Sequence, residues 1–151
     1  MAQGDIRFSL VNGEGSLSVV SGDLDQDAGL ETCILVSLFT DMRASDDDKL
    51  PDNSNSKRGW WGDAFYDSSV GSKLWLLSRA SIAGTLLDDA KKFAQDALKW
   101  LVEDGVAERI DVSVARTDVY TIEISVSVTR PKGDSAVSFR YFYNWQNQLL
   151  R

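Results

Sequence analysis

The apolar pattern is clearest in residues 86–103, where it predicts a long amphipathic helix. At about 100° per residue, the apolar side chains of this segment share one broad face and the charged side chains share the opposite one. Thr85 is the expected N-cap, and Gly105 suits the left-handed position that follows a helix. The predicted apolar face comprises Leu86, Leu87, Ala90, Phe93, Ala94, Ala97, Leu98, Trp100, Leu101 and Val102.

Two further segments favour helices. Residues 29–43 are mostly apolar with mixed spacing, and their length indicates a helix with Asp27 as its N-cap. Ser72 is placed to cap a shorter helix over the apolar run 74–77. Between the two lies a polar stretch, about residues 44–58, which is predicted to be a loop.

Alternation of apolar and polar residues predicts strands at both ends of the chain. Near the N-terminus, alternating runs on either side of Asn12-Gly13 predict a β-hairpin, because Asn-Gly suits a tight turn between antiparallel strands. In the C-terminal third, residues 110–115, 122–129 and 137–145 alternate and predict an antiparallel meander with one face packed on helices. We therefore expect one α+β domain over residues 1–151, with an N-terminal β-hairpin and two to three helices on a three-stranded C-terminal sheet.

Composition and charge exclude several classes of partner. The net charge is −7 and no run of basic residues exceeds two, which argues against nucleic-acid binding driven by phosphate contacts. No apolar run approaches the ~20 residues needed to cross a bilayer, and the N-terminal residues lack a signal-peptide pattern. We therefore expect a soluble, intracellularly made protein with no nucleic-acid and no membrane partner.

The residue types also limit the chemistry. With no histidine and one cysteine, Cys33, the chain cannot build a Ser-His-Asp centre, a Cys-His centre or a zinc site alone. Asp46 and Asp48 alternate as in a calcium-binding loop, but Leu50 and Pro51 replace the ligand and the glycine that such a loop requires. No cofactor and no metal are therefore expected. The 23 acidic residues leave a pair of catalytic carboxylates open in principle.

The most distinctive motif is Lys-Arg-Gly-Trp-Trp-Gly-Asp at residues 57–63. Two adjacent indole rings form a large apolar surface, and glycines on both sides leave the backbone few steric limits. Three interpretations of Trp60 and Trp61 are open: an anchor in the chain's own core, an interface with another subunit, or a platform that stacks a sugar. Arg58 and Asp63 are placed to pair across the turn.

Four motifs together resemble one protein family. In chain order they are LFTDMR at 38–43, GWWGD at 59–63, GSKLWLLSR at 71–79 and ALKWLVEDGVA at 97–107. Over about residues 5–145, the chain is similar to the small baseplate (wedge) protein family of Mu-like contractile-tailed phages, the phage gene product 46 family. That family more distantly resembles the lysozyme-like wedge protein of contractile injection systems.

The resemblance implies a structural protein of the virion tail baseplate, made in the host cytoplasm and present in multiple copies in a hetero-oligomeric assembly. The implied partners are a larger baseplate wedge protein and the tail sheath and tube or hub proteins. The implied role includes helping to nucleate sheath assembly by strand exchange, for which the strand at residues 136–145 suits pairing with a partner's strand.

The resemblance also implies interface residues. Distant relatives carry Glu-Pro-Arg between the main helix and the strands; Glu103 matches the Glu, Asp104 and Gly105 replace the Pro and Arg, and Arg109 is the candidate substitute for the arginine. The candidate interface residues are Arg58, Trp60, Trp61, Asp63, Glu103, Arg109, Tyr141 and Tyr143.

Two other functions compete with the structural one. A peptidoglycan hydrolase is suggested by the lysozyme label of some distant relatives and by the abundant carboxylates. However, the sequence identifies no acid pair in a cleft, so no catalytic residue is assigned. A carbohydrate-binding module would use Trp60 and Trp61 as its stacking platform. A structural, non-enzymatic baseplate role is the preferred interpretation.

Overall fold

A computed structural model of the protein describes residues 29–51, 55–79, 84–133 and 135–146, and the backbone of short strands within residues 5–27 and at 149–150. Within these ranges, helices and antiparallel strands confirm the predicted α+β class. In chain order the elements are β1 (Asp5–Ile6), β2 (Phe8–Val11), β3 (Glu14–Leu17), β4 (Val19–Val20), β5 (Asp23–Leu24), β6 (Gln26–Asp27), α1 (Leu30–Phe39), 3-10 helices at Trp61–Phe65 and Leu74–Arg79, α2 (Leu86–Glu103), β7 (Arg109–Arg116), β8 (Thr121–Thr129), a 3-10 turn at Pro131–Gly133, β9 (Val137–Asn144) and β10 (Leu149–Leu150).

The N-terminal strands pair in twos. β2 pairs antiparallel with β3 so that Val11 lies opposite Glu14, which confirms the predicted hairpin. Its turn residues, Asn12 and Gly13, lie outside the described residues. The pairs β1 with β6 and β4 with β5 do not follow from the alternation, because strands of two residues are too short to show a period.

The C-terminal sheet has the strand order β10-β9-β8-β7, and each neighbouring pair is antiparallel. The meander of β7, β8 and β9 is as predicted, and β10 adds a short fourth strand. One face of the sheet is covered, because every second side chain of β8 belongs to the same core as the inner face of α2. These buried side chains of β8 are Ile122, Ile124, Val126 and Val128.

Helix α1 is shorter than its predicted range and begins differently. Its N-cap is Gly29, which has a left-handed φ of 77°, whereas Asp27 lies in β6; the predicted Asp27 cap is therefore wrong. The helix ends at Phe39 because the residues after it take extended backbone and bridge to Ser72. A tertiary contact thus sets a boundary that local propensity does not show.

Ser72 joins the end of α1 to the 3-10 helix at Leu74–Arg79. Its backbone N–H donates to the carbonyl of Thr40 at 2.9 Å, and its carbonyl accepts from the N–H of Met42 at 3.0 Å. Its hydroxyl donates to the carbonyl of Leu38 and accepts from the N–H of Leu74, the first residue of the 3-10 helix, at 3.3 Å. Ser72 is buried, and its N–H, carbonyl and hydroxyl groups all make hydrogen bonds. This contact therefore fixes the end of α1 against the segment that contains the 3-10 helix.

Helix α2 has the predicted bounds. Thr85 is the N-cap, although its side chain makes no capping hydrogen bond, and Gly105 has the expected positive φ of 74°. Trp100 and Val102 belong to the predicted apolar face but are 37 % and 42 % exposed, so the predicted face is too broad. Half of the buried stripe of α2 is alanine. It comprises Leu86, Ala90, Ala94, Ala97, Leu98 and Leu101. In the described part of the chain, no helix is long and apolar enough to cross a bilayer.

Candidate functional site

The Trp-Trp motif leads into the 3-10 helix Trp61–Phe65 and brings four aromatic side chains together at the surface. The exposed fraction is 36 % for Trp60, 76 % for Trp61, 75 % for Phe65 and 66 % for Tyr66. We call these four residues the aromatic surface. Trp61 therefore does not anchor the chain's own core, and Trp60 does so only in part.

The four rings contact one another. The centroids of Trp60 and Trp61 lie 5.5 Å apart, and those of Trp60 and Tyr66 lie 6.3 Å apart with the planes only 12° from parallel. Phe65 meets Trp61 edge to face at 6.1 Å. Offset and edge-to-face pairs are the favourable arrangements of aromatic rings. The rings of the aromatic surface therefore stabilise one another in the arrangement that the structure shows.

The two glycines that flank the tryptophans are each required by the geometry. A Cβ at Gly62 would lie 2.2 Å from the Cζ3 and Cη2 atoms of Trp60, so the indole folds over a position that has no side chain. Gly59 has a φ of 108°, which side-chain-bearing residues rarely adopt, and its backbone lies against Arg43. The Gly-Trp-Trp-Gly order thus sets both the turn and the position of Trp60.

Arg58 and Asp63 fix the two ends of the motif, but each has a different partner from the predicted one. Arg58 NH1 lies 2.9 Å from Asp41 Oδ2, and the guanidinium lies 4.5 Å from the ring centroid of the buried Trp75. Asp63 Oδ1 accepts a hydrogen bond from the N–H of Val70 at 3.1 Å. The predicted Arg58–Asp63 pair is wrong: Arg58 binds the motif to the body of the protein, and Asp63 holds the segment that follows it.

Ion pairs hold the polar loop, of which residues 52–54 lie outside the described residues. Lys57 pairs with Asp46, and Lys73 Nζ lies 2.7 Å from Asp48 Oδ2. Asp48 also accepts from the N–H and the hydroxyl of Ser45 at 2.8 and 2.7 Å. Burial alone would raise the pKa of Asp48, but the hydrogen bonds from Lys73 and Ser45 lower it to about 2. These aspartates are charge partners of lysines, and among the described residues no group of three acidic or cysteine side chains could hold a metal.

Asp48→Asn should lower the free energy of unfolding by about 1–2 kcal/mol at pH 7. The pKa of Asp48 is lower in the folded state than its ordinary value of 3.8. The ionised Asp48 therefore contributes fully to the free energy of unfolding above pH 3.8, and this contribution is lost as the pH falls through about 2. Denaturant titrations should therefore give nearly equal free energies of unfolding for the wild type and Asp48→Asn near pH 2. Asp47→Asn, at the exposed neighbouring residue, is the control, and an equal loss in both variants would contradict this role of Asp48.

Glu103 and Arg109 lie at opposite ends of the connection from α2 to β7. Glu103 Oε1 lies 3.2 Å from Lys99 Nζ, one turn earlier in α2. Arg109 NH2 lies 2.7 Å from Asp111 Oδ1 in the same strand. Both side chains are exposed, and each has its own oppositely charged neighbour. Their roles at an interface stay predictions.

Tyr141 and Tyr143 lie in the core of this chain. They are 6 % and 5 % exposed, and their ring centroids lie 5.6 and 5.8 Å from that of Phe39 in α1. Burial raises the pKa of both phenols. Neither ring is available to a partner while the sheet is intact. The assignment of these two side chains to an interface is corrected accordingly; the backbone of β9 is the part of this strand that could meet another strand.

Two features of the surface did not follow from the sequence analysis. Phe65 and Tyr66 extend the aromatic surface, and the spacing of four residues between Trp61 and Phe65, about one helical turn, is the signal that could have revealed this. A groove between α1 and α2 is the second feature. Its walls come from three separated segments, so no linear motif marks it.

Comparisons with known proteins identify relatives over most of the chain. A family model described as "Phage protein GP46" matches residues 30–135. The chain is 38 % identical over 129 residues to "Baseplate protein gp46" of Escherichia phage Mu, which covers 85 % of this chain and 89 % of that protein. It is also 38 % identical over 132 residues to "Mu-like prophage FluMu protein gp46" of Haemophilus influenzae, and this match covers 87 % of this chain and 90 % of that protein. These matches confirm the resemblance drawn from the motifs, and the chain belongs to the gp46 family of phage Mu and Mu-like prophages.

Proposed function

We propose that the protein is a structural component of the tail baseplate of a Mu-like contractile phage and that its aromatic surface docks on a neighbouring tail protein. Family membership supports the location, because the relative from phage Mu is named a baseplate protein. The observation that carries the docking is the exposure of Trp61, Phe65 and Tyr66, each at least 66 % accessible to water.

The energetics of the aromatic surface support a protein partner. Burying a large aromatic side chain removes about 150–250 Å² from water, and Trp and Tyr are enriched among the residues that dominate binding energy. At about 25 cal/mol per Å², burial of the exposed part of one such ring contributes about 2–4 kcal/mol. Because the rings already contact one another, little side-chain entropy is lost on docking.

The inferred partner is a larger baseplate wedge protein, with several copies of this chain in one hetero-oligomeric assembly near the sheath. Strand pairing is a second means of contact. β10 pairs with β9 only at Tyr143 and Asn144, so within the described residues the outer edge of β9 has no paired strand from 137 to 142. An open strand edge suits addition of a strand from another protein, which is how we propose that this chain would help to nucleate the sheath.

The competing functions have weaker support. The general acid of a glycoside hydrolase needs a raised pKa, whereas the lysine partners of Asp46 and Asp48 lower the pKa of both carboxyls. A sugar platform needs an open ring face. A platform of both tryptophans would need an open face on Trp60 as well as on Trp61, but Tyr66 stacks nearly parallel on Trp60 and partly covers it.

Co-expression with each tail protein encoded beside this gene tests the proposal. We expect the chain to co-elute with at least one of them in size-exclusion chromatography as a stable complex. The purified chain should release no fragments from peptidoglycan at any pH. Elution of the chain alone in every combination, or release of fragments, would contradict the proposal.

A further inference from the structure

A groove of about 640 Å³ lies between α1, α2 and the segment at residues 68–71. Val36 of α1 and Trp100 of α2 line it and are 46 % and 37 % exposed. The indole N–H of Trp100 donates to the hydroxyl of the buried Ser37 at 3.0 Å, so the ring is fixed between the two helices. The groove is therefore a preformed cleft with an apolar lining.

The wall opposite the helices is also held in place. It includes Val70 and Gly71, and the N–H of Val70 donates to the carboxylate of Asp63 at 3.1 Å. Gly71 leads directly into the fully bonded Ser72. All three walls are thus fixed by hydrogen bonds to other parts of the chain, as a binding cleft requires.

The rim of the groove is acidic. Among the residues that line it, Asp96, Glu103 and Asp104 carry negative charge and Lys99 is the basic one, already 3.2 Å from Glu103. Glu103 and Asp104 stand at the C-terminal end of α2, and the last turn of that helix contains no basic residue. The helix dipole makes this end partially negative, so carboxylates here oppose it. Because carboxylates at this end of the helix lower its stability, their presence indicates a function other than stabilising the fold.

We propose that this groove binds a segment of another tail protein that carries an apolar anchor side chain beside lysine or arginine residues. The apolar lining accepts the anchor, and the carboxylates of the rim pair with the basic groups. The identity of the partner as a tail protein rests on the proposed function, whereas its chemistry rests on the groove. A second copy of this chain is a poor occupant, because each copy carries a net charge of −7.

Overlapping peptides that span the tail proteins encoded beside this gene provide the probe. We expect the purified protein to bind peptides that combine an aliphatic or aromatic residue with lysine or arginine, and to bind them less tightly as salt rises. Asp104→Lys should weaken that binding about tenfold. Its melting temperature should stay equal or rise, because lysine suits the C-terminal end of a helix. Glu108→Lys makes the same change of charge at an exposed residue outside the groove and should bind like the wild type.

Four results with the purified chain would overturn the inference. The first two are binding of acidic peptides in place of basic ones and binding of no peptide. The third is an equal loss of peptide affinity in Asp104→Lys and Glu108→Lys. The fourth is self-association of the chain that Asp104→Lys abolishes. A complex with a tail protein that Trp61→Ala disrupts and Asp104→Lys does not would reject the groove and leave the baseplate proposal intact. Failure of the wild-type chain to join any tail protein would instead reject the proposed function.

Discussion

Gly71→Ala should lower the free energy of unfolding by about 3 kcal/mol or more, although it adds a single methyl group. Gly71 has a φ of 110°, and a Cβ there would lie 2.2 Å from the carbonyl oxygen of Thr40 and 2.8 Å from its carbonyl carbon. Both are backbone atoms of the bridge to Ser72, so no side-chain rotation can relieve the clash. The end of α1 should separate from the 3-10 helix that follows Ser72.

Gly84→Ala is the matched control for this substitution. A Cβ at Gly84 would meet no atom within 4 Å. Its free energy of unfolding should therefore change by less than about 0.5 kcal/mol. Urea titrations of both variants make the comparison, and equal effects at the two positions would contradict the described packing around Gly71.

Trp61→Ala should weaken binding to the tail partner about 30-fold or more, as expected for the loss of a central aromatic anchor. The melting temperature should change little, because 76 % of this side chain is exposed in the isolated chain and little core packing is lost. Titration calorimetry with the co-purified partner, beside thermal unfolding of the chain alone, measures both quantities.

Two control substitutions separate docking from folding. Val119→Ala removes an apolar side chain that is 51 % exposed in the turn between β7 and β8, and it should affect neither quantity. Trp75→Ala removes a ring that is 2 % exposed and whose Nε1 donates to Met42 O, and it should cost about 3–5 kcal/mol of stability. A Trp61→Ala variant that unfolds like Trp75→Ala, or binds like Val119→Ala, would contradict the docking role.

Elements with a sustained period were predicted best from the sequence. The bounds of α2 and the meander of β7, β8 and β9 follow from eighteen residues of helical pattern and three runs of alternation. The start of α1 was missed because Gly29, and not Asp27, takes the N-cap position. Its end was missed because the bridge to Ser72, far along the chain, stops the helix, and such a contact leaves no local signal.

The candidate site was predicted in its residues but not in its geometry. The Gly-Trp-Trp-Gly motif is visible in the sequence, whereas the pairing of Arg58 with Asp41 joins residues 17 positions apart and depends on how the chain folds back. Alternation in β9 places Tyr141 and Tyr143 on the same face as Phe139 and Trp145, the more apolar face of the strand. The structure encloses both rings between α1 and the sheet, so the pattern agrees with burial and their assignment to an interface is wrong.

Tail assembly in a phage or prophage that carries this gene tests the central claim most directly. The gene is deleted and supplied again either as the wild type or as Trp61→Ala, and complete contractile tails are counted by negative-stain electron microscopy. The docking role predicts that the wild type restores sheathed tails with baseplates. It predicts that Trp61→Ala, although folded and present at the same level, does not. Normal numbers of complete tails with Trp61→Ala would contradict the claim that the aromatic surface joins this protein to the baseplate.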